Sequence, residues 1–178
     1  MKPSLLIASP QMKDPFFEKS VVLLWHHDDE GAIGVVVNRL AGHALPDVIV
    51  AADDVDLTEY EDNQVGWGGP VETQSGTVVT RGGIDEEEGW NLGDGIGVTR
   101  SQDVLMQLLR EGAPLMLCLG YAGWGPGQLD KEIEAGGWLF TDLAPDVVFD
   151  AAVEDRYEHA LRKLGLTPQT AWMQAVDE

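Results

Sequence analysis

A single cysteine, Cys118, stands in a chain of 178 residues, so no internal disulfide can form and nothing points to an oxidising compartment. Stability has to come from a packed core, and a chain of this length is expected to bury about 70% of its unfolded surface in one domain, residues 1–178. Long apolar runs are also missing. Leu5-Leu6-Ile7-Ala8 is too short for a signal-peptide core, and no later run approaches the roughly 20 residues of a membrane helix, so a cytoplasmic location without membrane contact is expected. Basic residues are the third scarcity. Eleven Lys and Arg face thirty-one Asp and Glu for a net charge of -20, and the eleven form no run of three. Proteins that grip a phosphate backbone do so with clustered cations, so direct binding to nucleic acid is not expected. The acid excess itself reads as a well-hydrated, soluble surface, with adaptation to a salt-rich interior as the second reading.

What is present is an interleaved set of strand and helix signals. Leu5 to Ser9 reads as a strand, and Pro10, Asp14 and Pro15 hold an irregular loop after it. Ser20–Trp25 and Ala32–Val37 are apolar on both faces, which predicts interior strands of a sheet covered on each side, with the polar stretch His26 to Gly31 as the hairpin between them. The acidic stretch His43 to Gln64 predicts a short helix around Val48 to Ala52 and then an exposed loop. Gly66-Trp67-Gly68-Gly69-Pro70 reads as a tight turn, Thr77 to Thr80 as a strand and Arg81 to Gly89 as a charged loop.

The clearest helix runs from Ser101 to Glu111, with Ser101 as N-cap, Asp103 at the positive end, Val104, Leu105, Leu108 and Leu109 on one face, and Gly112 as terminator. A buried strand Pro114 to Leu119, a glycine-rich turn, a helix from Gly127 to about Ala135 and a strand Trp138 to Phe140 follow. A short strand Val147 to Phe149 then precedes a helix with Tyr157, Ala160, Leu161 and Leu164 in its apolar stripe and Gly165 after its end, and Thr167-Pro168 starts a last helix. Roughly seven strands mixed with four or five helices predict an α+β fold.

The chemistry-bearing segment is Gly120-Tyr121-Ala122-Gly123-Trp124-Gly125-Pro126-Gly127-Gln128. Read as a turn from Gly120 to Gly127, it can present backbone amides to an anion at a helix start, or it can simply reverse the chain. It lacks the Lys-Ser/Thr ending of a phosphate loop and the spacing of a dinucleotide fingerprint, and the pair Tyr121 and Trp124 is what favours a ligand. Asn38 and Arg39 end a buried strand, where arginine suits carboxylate or phosphate recognition; the other reading is a structural tie from hairpin to loop.

Other candidates dissolve. His26 and His27 are sequence neighbours, which a strand points to opposite faces, and they read as a solvated hairpin tip. Asp54, Asp56 and Glu59 imitate a calcium loop, but Glu59 occupies the position that needs glycine and Val65 the one that needs a bidentate acid. Cys118 sits in an apolar strand as a buried thiol, and no serine has a nucleophile context, so no catalytic residue, cofactor or metal is assigned.

Leu119-Gly120-Tyr121-Ala122-Gly123-Trp124-Gly125-x-Gly127-Gln128-Leu129 resembles the signature of the YqgE/AlgH family of bacterial proteins. Four further blocks agree in order: Leu6-Ile7-Ala8-x-Pro10-x-Met12-x-Asp14-Pro15-x-Phe17, Gly34-Val-Val-Val-Asn38-Arg39, Gly68-Gly69-Pro70-Val71 and Thr99-x-Ser101-x-Asp103. The resemblance implies a bent, mostly antiparallel sheet like a partial barrel, flanked by helices. It also implies the family's label of transcriptional regulator, with no catalytic residues or cofactor. The chain departs from the pattern at Leu40, where proline is common, and in its ending Gln174-Ala-Val-Asp-Glu178. The expected activity is that of a non-enzymatic regulatory or binding protein contacting a protein or a small anionic ligand through Asn38, Arg39, Tyr121, Trp124 and Gln128. The rivals are an anion- or nucleotide-dependent enzyme or switch using the glycine segment, and a regulator acting on DNA.

Overall fold

A computed structural model describes residues 1–171; the divergent ending at residues 174–178 lies outside the described residues. The core begins with an antiparallel meander, β1 (Ser4–Ala8), β2 (Val21–Asp28) and β3 (Gly31–Val36). Alternate residues of these strands enter different clusters. Leu5, Ile7, Val21, Leu23 and Val35 pack on one face, and Leu6, Ala8, Val22, Leu24 and Val36 on the other. That split follows from the two-residue period of a strand and explains why the sequence is apolar at every position.

Around the meander the sheet grows in both directions. β10 (Trp138–Thr141) pairs antiparallel with β1 at one edge. On the other side the C-terminal end of the long β9 (Leu115–Trp124) pairs with β3, while its N-terminal part pairs with β6 (Val71–Arg81). β8 (Ile96–Thr99) and β7 (Trp90–Gly93) continue the sheet past β6. β4 (Leu40–Ala44) pairs with β5 (Gln64–Trp67), which runs parallel to β9. The ten-stranded sheet is large, bent and mostly antiparallel, and it does not close.

Helices cover both faces. α2 (Gln102–Arg110) starts where Ser101 Oγ accepts the Val104 N–H at 3.3 Å, and it lays Leu105 and Leu109 over Val78, Leu115 and Leu117. α3 (Gln128–Glu134) buries Leu129 against the outer face of the meander, and α4 (Arg156–Lys163) sets Tyr157, Ala160 and Leu161 on the inner one. Gly165 at φ 73° closes α4, with the Leu166 N–H on Leu161 O at 3.0 Å. Among the described residues no helix is long and apolar enough to cross a membrane.

Several local expectations are corrected. The helix expected at Val48 to Ala52 lies earlier, as α1 (Leu45–Val48), because Pro46 is preset for a first turn while the β-branched run Val48-Ile49-Val50 favours extension. Val147 to Phe149 is not a strand but part of a wide helical turn, Asp146–Asp150, in which the Ala151 N–H reaches Asp146 O at 2.9 Å. Three apolar residues carry no period, and Pro145 sits in the helical region and starts the turn. β2 runs on through His26 and His27, so the hairpin tip shrinks to Asp29 and Glu30. Gly66 and Trp67 are strand rather than turn, and β7 and β8 were not expected.

Candidate functional site

The segment expected to be a glycine turn from Gly120 to Gly127 remains strand as far as Trp124, and only Gly125 to Gly127 turns. Its glycines are there for contact between two backbones. Gly120, at φ 77°, leaves no room for a Cβ because Gly69 O occupies that space, and a Cβ on Gly68 would overlap Gly120 O. The Gly68 N–H donates to Leu119 O at 2.7 Å and Gly68 O accepts the Val36 N–H at 2.8 Å, so the Gly68-Gly69 crossing stitches β3 to β9. In the remaining turn Gln128 Oε1 accepts the Gly125 N–H at 3.0 Å, Pro126 has no N–H to offer, and the helix behind has seven residues.

The five expected site residues do not converge. Asn38 Oδ1 accepts the Val21 N–H and its Nδ2 donates to Lys19 O, both at 2.8 Å. Arg39 donates to Phe16 O and, at 2.5 Å, to Glu18 O, while its guanidinium lies 5.3 Å from the centre of the Trp67 ring, on which Phe16 stacks at 6.2 Å. Together they clasp the Asp14–Ser20 loop to the sheet, and both line a cleft of 490 Å³ shared with Glu18, Lys19 and Tyr157. Trp124 is only 6% exposed and packs between Phe17 and Trp138 at ring distances of 6.2 and 6.0 Å. Gln128 closes the turn into α3. Tyr121 is half-buried, with the Arg100 guanidinium 5.2 Å above its ring.

The other polar and reactive residues are bound into the structure, Arg156 among them without having been singled out in the sequence. Arg156 is buried and donates to Val37 O at 2.6 Å and Ala151 O at 3.0 Å. Burial pushes the Cys118 thiol up to about 12, with Arg156 opposing, and pushes the Tyr157 hydroxyl, which donates to Ala8 O, to about 12. His27, expected at a solvated tip, has a side chain only 7% exposed that faces Asp130 of α3 at 3.4 Å. Asp54 pairs with Arg110 at 2.8 Å, and Asp56 accepts the Thr58 N–H at 2.9 Å, so the calcium-like run serves local structure.

The arrangement that can receive a ligand lies elsewhere. A groove of 550 Å³ opens over the sheet between the segment following α1 and the start of α2. Val78, Leu105, Leu117 and Leu119 form its floor, Val48 to Val50 one wall, and Gln74, Ser75 and Gln102 a hydrogen-bonding rim. Val50 is 96% exposed on that wall. β6 bulges at the rim: Val71 pairs with Tyr121 but Gly76 already pairs with Leu119, and Glu72 takes φ 47°. Arg100, the one ionisable side chain lining the groove among the described residues, is held by Glu72 at 3.3 Å, by Ser75 Oγ and by the Tyr121 ring. Sequence reasoning reached Tyr121 but not the groove, whose walls come from segments far apart in the chain.

An open, bent, mostly antiparallel sheet with helices on both faces defines the class as α+β, with a shallow groove of mixed apolar and polar lining on one side. Within that class the chain belongs to the AlgH-like family, DUF179, whose model matches residues 5–169. It is 40% identical over 175 residues to a UPF0301 protein of Rhodopseudomonas palustris strain HaA2, covering 92% of this chain and 80% of the relative. A UPF0301 protein of Chromobacterium violaceum is 39% identical over 169 residues, covering 92% and 89%. The solution structure of the AlgH protein from Pseudomonas aeruginosa superposes with a TM-score of 0.77 at 34% identity, covering 93% of this chain and 89% of that one. A crystal structure from Corynebacterium diphtheriae shares the fold at a TM-score of 0.75 and 23% identity, covering 98% and 91%.

Proposed function

We propose that this chain is a non-enzymatic binding protein of regulatory type, and that the groove between α1 and α2 is its contact surface. The observation that carries the reading is an open groove with an apolar floor whose one charged lining residue among the described residues, Arg100, is paired with Glu72 at 3.3 Å. Such a surface offers burial and hydrogen bonds rather than a group poised for proton or nucleophile chemistry. In support, the groups displaced furthest from their ordinary values, Cys118, Tyr157 and Asp146, sit in the core or in structural pairs away from the groove. The distribution of cations favours a protein or small-molecule contact over DNA. Lys2, Arg81, Arg100, Arg110, Arg162 and Lys163 each face a carboxylate, and Arg156 is buried.

Titration with the neutral apolar dye Nile red tests the groove. The wild type should bind it, and Val50→Asp and Met106→Glu should each weaken binding at least about tenfold, the cost of one charge placed against an apolar contact, with unchanged circular dichroism and melting temperature. No dye binding, or equal binding by both variants, would reject the groove. A parallel thermal-shift panel of nucleotides and phosphorylated metabolites covers the enzyme or switch reading, since a ligand at 100 times its Kd adds about 2.7 kcal/mol of stability. A hit retained in Val50→Asp would point away from a contact protein working through this surface.

A further inference from the structure

We infer that the occupant of the groove is a basic, amphipathic segment of a partner protein; this rests on the groove being the contact surface. The floor of Val78, Leu105, Leu117 and Leu119 rewards apolar anchor side chains. The rim supplies uncharged partners, Gln74, Ser75 and Gln102, for the polar groups of a chain. β8 pairs with β6 only from Val78 onward, so the Glu72–Ser75 bulge has no strand on that side.

Charge then selects among apolar ligands. The guanidinium of Arg100 offers little to an anion because Glu72, Ser75 and Tyr121 already hold it. Asp47 and Asp103 are exposed and adjoin the lining residues Val48 and Gln102 in sequence; among the described residues neither has a cation within 4.0 Å, though Asp103 acts at longer range on Arg110. At a net charge of -20 the whole molecule repels anionic ligands and nucleic acid, repels a second copy of itself, and steers a cationic partner inward. An acidic or neutral segment would gain the apolar contacts alone; a segment with Lys or Arg beside its anchors gains both terms.

Peptides of about 14 residues carrying leucine at helical spacing, with the polar face entirely Lys, Gln or Glu, would compete with Nile red on the full-length protein. A scrambled Lys peptide without an apolar face controls for charge alone. The Lys peptide should displace the dye at a concentration at least about tenfold below that of the Glu peptide, an advantage that shrinks severalfold between about 50 and 500 mM NaCl. Asp103→Asn with Asp47→Asn should reduce that preference while leaving dye affinity unchanged, and Val50→Arg should weaken the Lys peptide. Equal displacement by Lys and Glu peptides, preference for the Glu peptide, or equal displacement by the scrambled peptide overturns the inference. So does dye binding that no peptide displaces, which makes the groove a small-molecule site and leaves the binding reading intact. Failure of the dye to bind removes both.

Discussion

One carboxylate holds two side chains at Asp146, where Lys163 Nζ and His159 Nε2 both lie 2.7 Å from Oδ2. The Lys163 and His159 hydrogen bonds hold its carboxyl at about 2, below the ordinary 3.8. A folded value below the unfolded one means that the pair stabilises the protein in full above 3.8, and that this contribution is lost as pH falls through about 2. Asp146→Asn should therefore flatten the decline of stability with acidification across that window, as read from urea midpoints at successive pH values. Parallel curves for variant and wild type would refute the assignment. At this scale the legible residues were those whose partners are near in sequence. Ser101 caps a helix three residues on, and Gly112 and Gly165 end theirs at φ 64° and 73°. Asn38 and Arg39 were recognisable as a strand-end pair, yet their partners, Phe16 to Val21, return from before the preceding strand, and only folding shows a clasp. Arg156 had no local signal, because its acceptor on Val37 lies 119 residues away.

Among the elements, β2 and β3 follow directly from their unbroken apolar runs, α2 from its apolar period, and α4 from its stripe and terminal glycine. The β7–β8 hairpin had a readable signal as well. Asp94-Gly95 at φ 54° and 77° is the two-residue turn that favours a tight hairpin, and its flanks Trp90–Gly93 and Ile96–Thr99 are short enough to be passed over. β9 is the opposite case. Glycines that read as a turn are in fact required where the strand meets the Gly68-Gly69 crossing, a contact that no period encodes. Gly120→Ala should cost at least about 2 kcal/mol, since it combines a left-handed backbone with an overlap on Gly69 O. Gly123→Ala, whose nearest neighbour for a Cβ is the Tyr121 ring edge at 3.9 Å, should cost less than about 1 kcal/mol. Urea denaturation of the two variants checks this, and a larger loss at Gly123 would sink the crossing as the reason for the motif.

For the whole molecule, a charge of -20 confined to one folded chain repels itself, and the ion pairs on the surface only partly relieve it. Raising NaCl from about 20 to about 500 mM shortens the screening length several-fold, so the melting temperature should rise by a few degrees. A fall would mean that the screened ion pairs outweigh the repulsion. The same field underlies the expected choice of a cationic partner, and it could be read from composition before any fold was known. The sequence by itself determined the charge, the α+β class, the two-faced burial of the central strands, the helix caps and the family, because each rests on composition, on a short period or on neighbours within a few residues. Which strands meet, where β9 bends, which polar residues become clasps, and the opening of a groove between α1 and α2 were decided by the tertiary structure alone. Those features depend on pairs of segments brought together from distant parts of the chain, and a contact of that kind leaves no mark in either segment read separately.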